Sequence, residues 1–392
     1  MAEISAPRAG DTSILNSLAF RGFVYQVLLA AGVAIAGWYL YANVHENLAR
    51  QGIVTGFDFL WQSAGFEIGE SLISFERSQF YSRILLAGLL NTLHVSAVGI
   101  VLATILGVTV GVARVSTNWL IAKLASIYVE VFRNVPILLQ IIFWASVVRN
   151  LPSQRQPISF FDSIFLSNRG LHFPVPVDHP IYPWVIGAFL IAVAGAFYYK
   201  RRARLHREAT GRQLPVLWPS LALIMGLPGI IWLFAGAPLE WQVPVLRGFN
   251  YRGGMSSSPE FVAVLIGLVV YTAAFIAEIV RSGIQSVGIG QVEAARSLGL
   301  RGGLVMRLVV LPQALRVIVP PTTSQYLSLI KNSSLAVAIG YPDLVSVGNT
   351  TINQTGQAVE GIAIMMLIYL IISLTISAFM NVYNRIVAIQ ER

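Results

Sequence analysis

The sequence predicts an all-α, polytopic membrane protein that crosses the bilayer about eight times. Hydrophobic residues make up 55% of the 392 residues and charged residues only 11%, whereas soluble domains carry roughly 25% charged residues. Several apolar runs reach the roughly 20 residues that an α-helix needs to cross a bilayer. Backbone polar groups cannot stay unpaired in lipid, so we expect these runs to be helices.

The predicted spans follow one another along the chain. We expect them at about 23–44, 84–113, 119–148, 181–199, 215–237, 261–280, 315–330 and 362–382. The start of the third span stays open, because a polar stretch from Glu130 to Pro136 interrupts it. The seventh span is short and is interrupted by the segment Lys331-Asn332-Ser333-Ser334.

Basic residues between the spans predict the orientation in the membrane. The loop at 200–212 is the most basic of the chain, and lysine and arginine favour the cytoplasmic side. Counting spans from this loop places the loop at 281–314 and both termini in the cytoplasm, and the loops at 45–83, 149–180, 238–259 and 331–361 outside. The basic residues of the first loop are Lys200, Arg201, Arg202, Arg204, Arg207 and Arg212.

Several kinds of site are excluded by residue types that the sequence lacks. It has no cysteine, which excludes disulfides, thiolate metal sites and a cysteine nucleophile. Its five histidines show no HxxxH or carboxylate spacing, so no metal site is expected. Its only lysines, Lys123, Lys200 and Lys331, do not follow a glycine, so the sequence contains no GxxxxGK[ST] phosphate loop. The net charge of +9 is attributed to cytoplasmic loops rather than to nucleic-acid binding.

The segment 278–321, between the sixth and seventh spans, is basic and patterned. We expect a short helix over 291–298 that ends at Gly299, because glycine readily adopts the left-handed cap conformation. Glu293 is expected near the helix start, where the helix dipole favours it and a partner's arginine could bind it. A second amphipathic stretch should end at Pro312. The apolar side of the short helix is expected to carry Val292, Ala295 and Leu298.

Physical chemistry alone leaves two interpretations of this segment open, a simple interfacial helix and a docking surface for a protein outside the membrane. The spacing of Glu293-Ala294-Ala295, Gly299 and Val309-x-Leu311-Pro312 resembles the EAA loop of the permease subunits of binding-protein-dependent ABC importers, with valine in place of the usual isoleucine. The resemblance implies the transmembrane domain of a type I ABC importer. It also implies a coupling helix that docks on a separate ATPase subunit, which binds ATP and Mg. The implied coupling residues are Glu293, Ala294, Ala295, Gly299, Leu311 and Pro312.

Three further segments resemble the polar amino-acid branch of that family. They are Glu130-x-Phe132-Arg133-x-x-Pro136 with Gln140, Ala277-Glu278-Ile279-x-Arg281-x-Gly283, and Lys331-Asn332-Ser333-Ser334-Leu335. The similarity covers about 84–148 and 260–385. The chain departs from the usual form by an extra N-terminal span and by an insertion at 149–259 with two more spans, which is similar to the long general L-amino-acid permeases.

This resemblance implies an organisation and a set of partners. We expect a cytoplasmic tail at 1–22, an N-terminal span and external loop at 23–83, the importer domain at 84–385 and a second tail at 386–392. The implied partners are an ATPase dimer, a second homologous permease that completes a heterodimeric pore, a periplasmic amino-acid-binding protein and membrane lipid. The implied location is the cell inner membrane.

Charged and polar residues within the spans are candidates for a site. Glu278 and Arg281, like Glu130 and Arg133, lie three residues apart on one helix face. Such pairs can serve function or simply pair at the membrane interface. Lys331 is expected either to anchor a turn or to face the path. The candidates for the translocation path are Gln140, Ser324, Gln325, Ser328 and Lys331.

His94 lies on the second span with Asn91, Thr92 and Ser96. These side chains could line a polar path, but a single histidine there more often makes a hydrogen bond between packed helices.

Two other functions make different predictions for the sequence. A self-contained secondary transporter of small polar solutes should show inverted repeats and a paired acidic residue at the midplane, and the sequence shows neither. An intramembrane enzyme needs a nucleophile–base or metal constellation, and none is apparent. The sequence therefore favours a permease that imports L-amino acids by alternating access and performs no covalent chemistry itself.

Overall fold

The computed structural model describes residues 18–50 and 55–387, and the structure is mostly helical. Short 3-10 helices span Asp58–Trp61 and Ser333–Ile339, and a π-helix spans Met306–Val310. The α-helices are α1 (Leu18–Arg50), α2 (Tyr81–Arg114), α3 (Trp119–Asn134), α4 (Ile137–Arg149), α5 (Tyr182–Thr210), α6 (Leu217–Phe234), α7 (Pro259–Gln285), α8 (Ile289–Ser297), α9 (Gly302–Val305), α10 (Leu311–Asn332), α11 (Leu344–Thr355) and α12 (Ala358–Val387).

Within the described residues, seven helical segments are long and apolar enough to cross a membrane, and the pair α3–α4 makes an eighth if it counts as one span. This confirms the predicted all-α polytopic fold. The predicted tail at 1–22 begins in residues outside the described ones, and α1 already starts at Leu18. Of the predicted tail at 386–392, residues 388–392 also lie outside the described part, and α12 continues to Val387.

The predicted third span consists of two helices with a break at the polar interruption. α3 and α4 meet at an angle of 106°. Pro136 disfavours helical geometry at the residue before it, and Val135 is extended, with φ −95° and ψ 128°. Gln140 Nε2 donates to the carbonyl oxygens of Phe132 and Val135, at 2.9 Å each. Its side chain thus satisfies backbone acceptors that the break leaves without a partner in the helix.

The predicted cytoplasmic loops are shorter than expected, because helices extend into them. α7 continues to Gln285, and α9, the π-helix and α10 run on continuously from Gly302. The connection between α7 and α9 is therefore 286–301, not 281–314. Pro312 does not end a helix: it lies in the first turn of α10, directly after the π-helix, and the helical rod continues through it. α5 continues to Thr210, so the basic cluster lies largely on a helix instead of in a loop.

The segments expected as external loops contain short strands. A four-stranded antiparallel sheet has the order β1 (Ile158–Phe160), β2 (Ile164–Ser167), β3 (Gly170–Phe173), β8 (Met255–Ser257). Gly170 has a φ of +108°, and a Cβ there would lie 2.0 Å from the Ser257 carbonyl oxygen, so only glycine fits where β3 meets β8. Two smaller pairs join β4 (Val175–Pro176) to β5 (Trp241–Gln242), and β6 (Val245–Arg247) to β7 (Asn250–Arg252).

The main apolar core surrounds α7, which packs against α2, α4 and α10. Small residues bring these helices together, as they commonly do in membrane proteins. A Cβ at Gly107 of α2 would lie 2.7 Å from Ile276, and one at Gly283 of α7 would lie 2.3 Å from Ile318. A second buried cluster joins the segment after α1 to α2, α11 and α12, and a third lies beneath α8.

Candidate coupling and translocation site

α8 lies between the end of α7 and the start of α9, and one side of it packs on this chain. Ala295 is only 5% exposed and lies in a small apolar cluster with Val305 and Val310. Val292 packs against the same cluster. Ala295 therefore fixes α8 to the rod formed by α9, the π-helix and α10. Its methyl group therefore packs against this chain, whereas the adjacent Ala294 is exposed.

The opposite side of α8 is open. Ile289 is 75% exposed and Leu298 is 82% exposed. Leu298 was expected on the same side as Val292 and Ala295, but α8 ends at Ser297 and Leu298 is exposed in the turn that follows. Glu293 is the fifth residue of α8 and lies outside its first turn, which contains no acidic residue. The exposed residues of α8 and of the turn after it include Ile289, Glu293, Ala294, Arg296 and Leu298.

The turn after α8 confirms the predicted role of Gly299 as a helix end. Its φ is +78°, a conformation that other residues adopt only at a cost. The Gly299 N–H donates to the Arg296 carbonyl at 2.8 Å, and the Leu300 N–H donates to the Ala295 carbonyl at 3.3 Å. Leu311 and Pro312, also predicted as coupling residues, are exposed in the first turn of α10.

A cluster of charges near the end of α7 ties three helices together. The Glu278 carboxylate accepts hydrogen bonds from Arg281, as the spacing predicted, and also from Arg114 at the end of α2. Arg133 of α3 reaches to 3.9 Å from the same carboxylate, and its guanidinium lies 5.1 Å from the centre of the Phe275 ring.

The second predicted pair, Glu130 with Arg133, does not form. Glu130 is exposed on α3, and Arg133 turns instead towards Glu278. The sequence did not indicate Arg114 as a site residue, because it is 164 positions from Glu278. Its place at the end of the second predicted span was the one available signal.

The path candidates divide between two environments. Ser324, Ser328 and Lys331 are exposed on one face of α10, and Gln325 beside them is half-buried. Lys331 also lines an open cavity of about 800 Å³ between α10 and α12, together with Ser334. Gln140 does not join them, because it is buried at the α3–α4 break and bound to backbone carbonyls.

The polar residues around His94 serve packing. The His94 ring stacks on Phe261, with ring centres 4.9 Å apart, in place of the expected hydrogen bond between helices. The Asn91 side chain donates to the carbonyls of Glu70 and Pro342. The Thr92 hydroxyl accepts the Leu344 N–H at 3.0 Å. α2 thus holds the start of α11 and the segment before α2 in place.

Two acidic residues near helix starts were not singled out from the sequence. The Glu70 carboxylate accepts from the backbone N–H and the hydroxyl of Ser258, the N-cap residue of α7, and burial raises the pKa of this carboxyl group. Asp343 is fully buried and accepts the Ser346 N–H at 2.8 Å as the N-cap of α11. An aspartate before an apolar helical run is the sequence signal that could have found Asp343.

No group of three or more histidine, aspartate or glutamate side chains suited to a metal ion occurs within the described residues.

A family profile described as "Binding-protein-dependent transport system inner membrane component" matches residues 210–389. The permease protein YhdX of Escherichia coli (strain K12), named for amino-acid ABC transport, is 52% identical over 97% of this chain and 99% of its own length. This chain belongs to the amino-acid ABC transporter permease family.

Two further relatives of this permease match it over nearly their whole length. The general L-amino acid transport system permease protein AapQ of Rhizobium johnstonii is 48% identical over 95% of this chain and 94% of its own. The permease protein BztB of Rhodobacter capsulatus, of a glutamate/glutamine/aspartate/asparagine transport system, is 41% identical over 98% of both chains. The matches include the N-terminal helix and the insertion at 149–259. The permease is thus a multi-pass transport subunit of the long form, and such subunits are not themselves enzymes.

Proposed function

We propose that this permease forms one half of a heterodimeric pore that imports L-amino acids, driven by a separate ATPase dimer that docks on α8. The observation that carries the proposal is that one side of α8 packs on this chain while the other side is exposed. Its inner side is fixed to α9 and the π-helix through Ala295, and its outer side exposes Ile289, with Leu298 exposed in the turn that follows. Two large apolar side chains beside a carboxylate and an arginine suit a groove on a soluble protein partner.

The cluster around Glu278 provides the second link of the coupling path. Movement of α8 acts on α10 through the buried Ala295 cluster, and on α7 through the connection 286–288. The Glu278 carboxylate then binds α7 to α2 and α3, so that these helices move together. ATP and Mg bind on the partner, because the sequence of this chain contains no phosphate loop.

The path for the amino acid lies along the exposed face of α10 in this proposal. Ser324 and Ser328 offer hydroxyl groups, and Lys331 offers a charge for a substrate carboxylate. A second permease chain would cover this face and close the pore. The substrate class is supported by the names of the relatives, which transport general L-amino acids or acidic amino acids and their amides.

The same proposal fixes the orientation. α8 and the basic end of α5 face the cytoplasm, the β-sheet faces a periplasmic amino-acid-binding protein, and both termini are cytoplasmic. The high density of arginine and lysine residues near α8 and at the end of α5 supports a cytoplasmic location for both. The membrane is the cell inner membrane, where binding-protein-dependent importers act.

The test of coupling is a charge reversal at Glu293 in the complete transporter, purified with its ATPase, second permease and binding protein and placed in proteoliposomes. We expect Glu293→Lys to reduce ATPase co-purification at least about tenfold, as is usual for a lost charge pair in an interface, and to abolish uptake. Glu240→Lys, an exposed reversal in the segment proposed to be external, is the matched control and should leave ATPase co-purification unchanged. Full ATPase association and full uptake with Glu293→Lys would refute the docking surface.

A further inference from the structure

The hairpin of α5 and α6 lies outside the buried apolar clusters formed by the described residues. Its helices pack mainly on each other. Small residues form the contact: a Cβ at Gly195 would lie 2.9 Å from Leu223. The buried alanines of α5 are Ala188, Ala192, Ala196 and Ala203. The outer faces of the hairpin are available to lipid.

The C-terminal end of α5 projects beyond the membrane core. The helix has 29 residues and is about 43 Å long at roughly 1.5 Å per residue, whereas the hydrocarbon core is about 30 Å thick. Six basic residues lie in 200–212, and Glu208 is the one acidic residue there. Within the described residues, no carboxylate pairs with any of the six.

Three of these basic residues line one cavity. Lys200, Arg204 and Arg207 lie on one face of α5, four and three residues apart, around a cavity of about 350 Å³ that the chain after α5 closes. The buried Ala203 belongs to the same cavity lining. The other three basic residues do not line it. Among them, Arg202 instead donates to the Tyr198 hydroxyl at 3.2 Å.

An apolar groove continues from this basic cavity. A second cavity, of about 380 Å³, runs between α5 and α6 and shares Lys200 and Val216 with the first. The rest of its lining is apolar apart from one hydroxyl. These residues are Val193, Ala196, Phe197, Leu217, Ser220 and Ile224. Lys200 thus lies at the junction between the basic cavity and the apolar groove.

We propose that this combined site binds one anionic phospholipid. Arg204 and Arg207 bind the headgroup phosphate, since guanidinium groups form paired hydrogen bonds with phosphate oxygens. Lys200 extends its stem along the groove and its ammonium towards the same phosphate. One acyl chain lies in the groove between α5 and α6. Basic cavities between helices on the cytoplasmic side are the setting in which membrane proteins recognise such headgroups. A free phosphate ion would use the cavity but not the groove.

The test uses the intact transporter complex in mild detergent and counts bound lipid by native mass spectrometry during titration. The probes are dioleoyl-phosphatidylglycerol, dioleoyl-phosphatidylcholine and inorganic phosphate. The variant Lys200→Gln/Arg204→Gln/Arg207→Gln removes the three positive charges that line the cavity. The matched variant Arg201→Gln/Arg202→Gln/Arg212→Gln removes the same charge from outside it.

We expect the wild type to bind phosphatidylglycerol selectively over phosphatidylcholine. Each basic residue near a membrane surface contributes about fivefold in affinity, so the cavity variant should lose at least about tenfold, and the matched variant less than about threefold. Ser220→Phe, which fills the groove, should weaken lipid binding and leave phosphate binding unchanged. Equal losses in the two triple variants would show diffuse attraction and overturn the proposal. Competition by inorganic phosphate as strong as that by lipid would overturn it too.

Discussion

Individual residues of α8 and its flanking turns determine how the helix is held. Ala295 packs inward while its neighbour Ala294 faces outward, so two adjacent alanines of one motif have opposite surroundings. Gly299 ends the helix with a φ of +78°. The sequence predicted the helix and its glycine stop, because both depend on local backbone preferences. It did not predict the outward position of Leu298, which depends on the direction that the chain takes at the turn after α8.

A comparison of two nearby glycines tests the role of the turn. A Cβ at Gly299 would meet nothing within 4 Å, and the same holds for Gly302, but only Gly299 has a positive φ. Gly299→Val should therefore cost about 1–2 kcal/mol or more of backbone strain, loosen the end of α8 and reduce uptake. Amide hydrogen exchange of 289–300, with uptake measured alongside, checks this.

Gly302→Ala is the matched control, because Gly302 lies in helical geometry at the start of α9. It should leave exchange and uptake unchanged. Equal effects of the two substitutions would mean that the left-handed turn is not what holds α8.

At the scale of elements, the differences between expectation and structure arise from long-range pairing. The strand β3 pairs with β8, which lies more than 80 residues later, and no spacing within the sequence predicts such a contact. The strands have only two to four residues each, too few for an alternating pattern to be visible. The break between α3 and α4 had a visible signal in Pro136, but its angle depends on packing against α7.

The sheet should lose stability in mild acid because of His172. This side chain is buried in β3, accepts a hydrogen bond from the Gln154 amide and lies against the Tyr251 ring. Burial lowers the pKa of His172, so the unfolded sheet binds the proton better than the folded one. Its contribution is complete above the ordinary histidine pKa of about 6.5 and is lost as pH falls below that value.

Hydrogen exchange of 158–173 at pH 7 and pH 5, corrected for intrinsic rates, measures this effect. Faster opening at pH 5 is expected in the wild type, and no pH dependence in His172→Gln. His206→Gln, at an exposed histidine of α5, should keep the wild-type response. A pH response that survives in His172→Gln would assign it to another group.

At the scale of the whole molecule, the structure joins an apolar helical core around α7 to the sheet that precedes α7 and to the helix α8 that follows it. Composition and run length predicted the number of spans, because membrane insertion depends on these properties. The family followed from the spacing of the motif around Glu293 and Gly299. The exposed faces of α1 and α10 did not follow from either; in the proposed complex, a second permease chain covers the face of α10.

The central claim is that the outer side of α8 docks on the ATPase, and cysteine cross-linking tests it most directly. The chain has no cysteine of its own, so single cysteines can be placed at Ala294, Ala295 and Glu240 without further changes. A short bifunctional reagent in the assembled complex should join Ala294→Cys to the ATPase subunit. The buried Ala295→Cys, and Glu240→Cys in the segment proposed to be external, should give little product. No cross-link at Ala294→Cys, or an equal yield at Ala295→Cys, would contradict the claim.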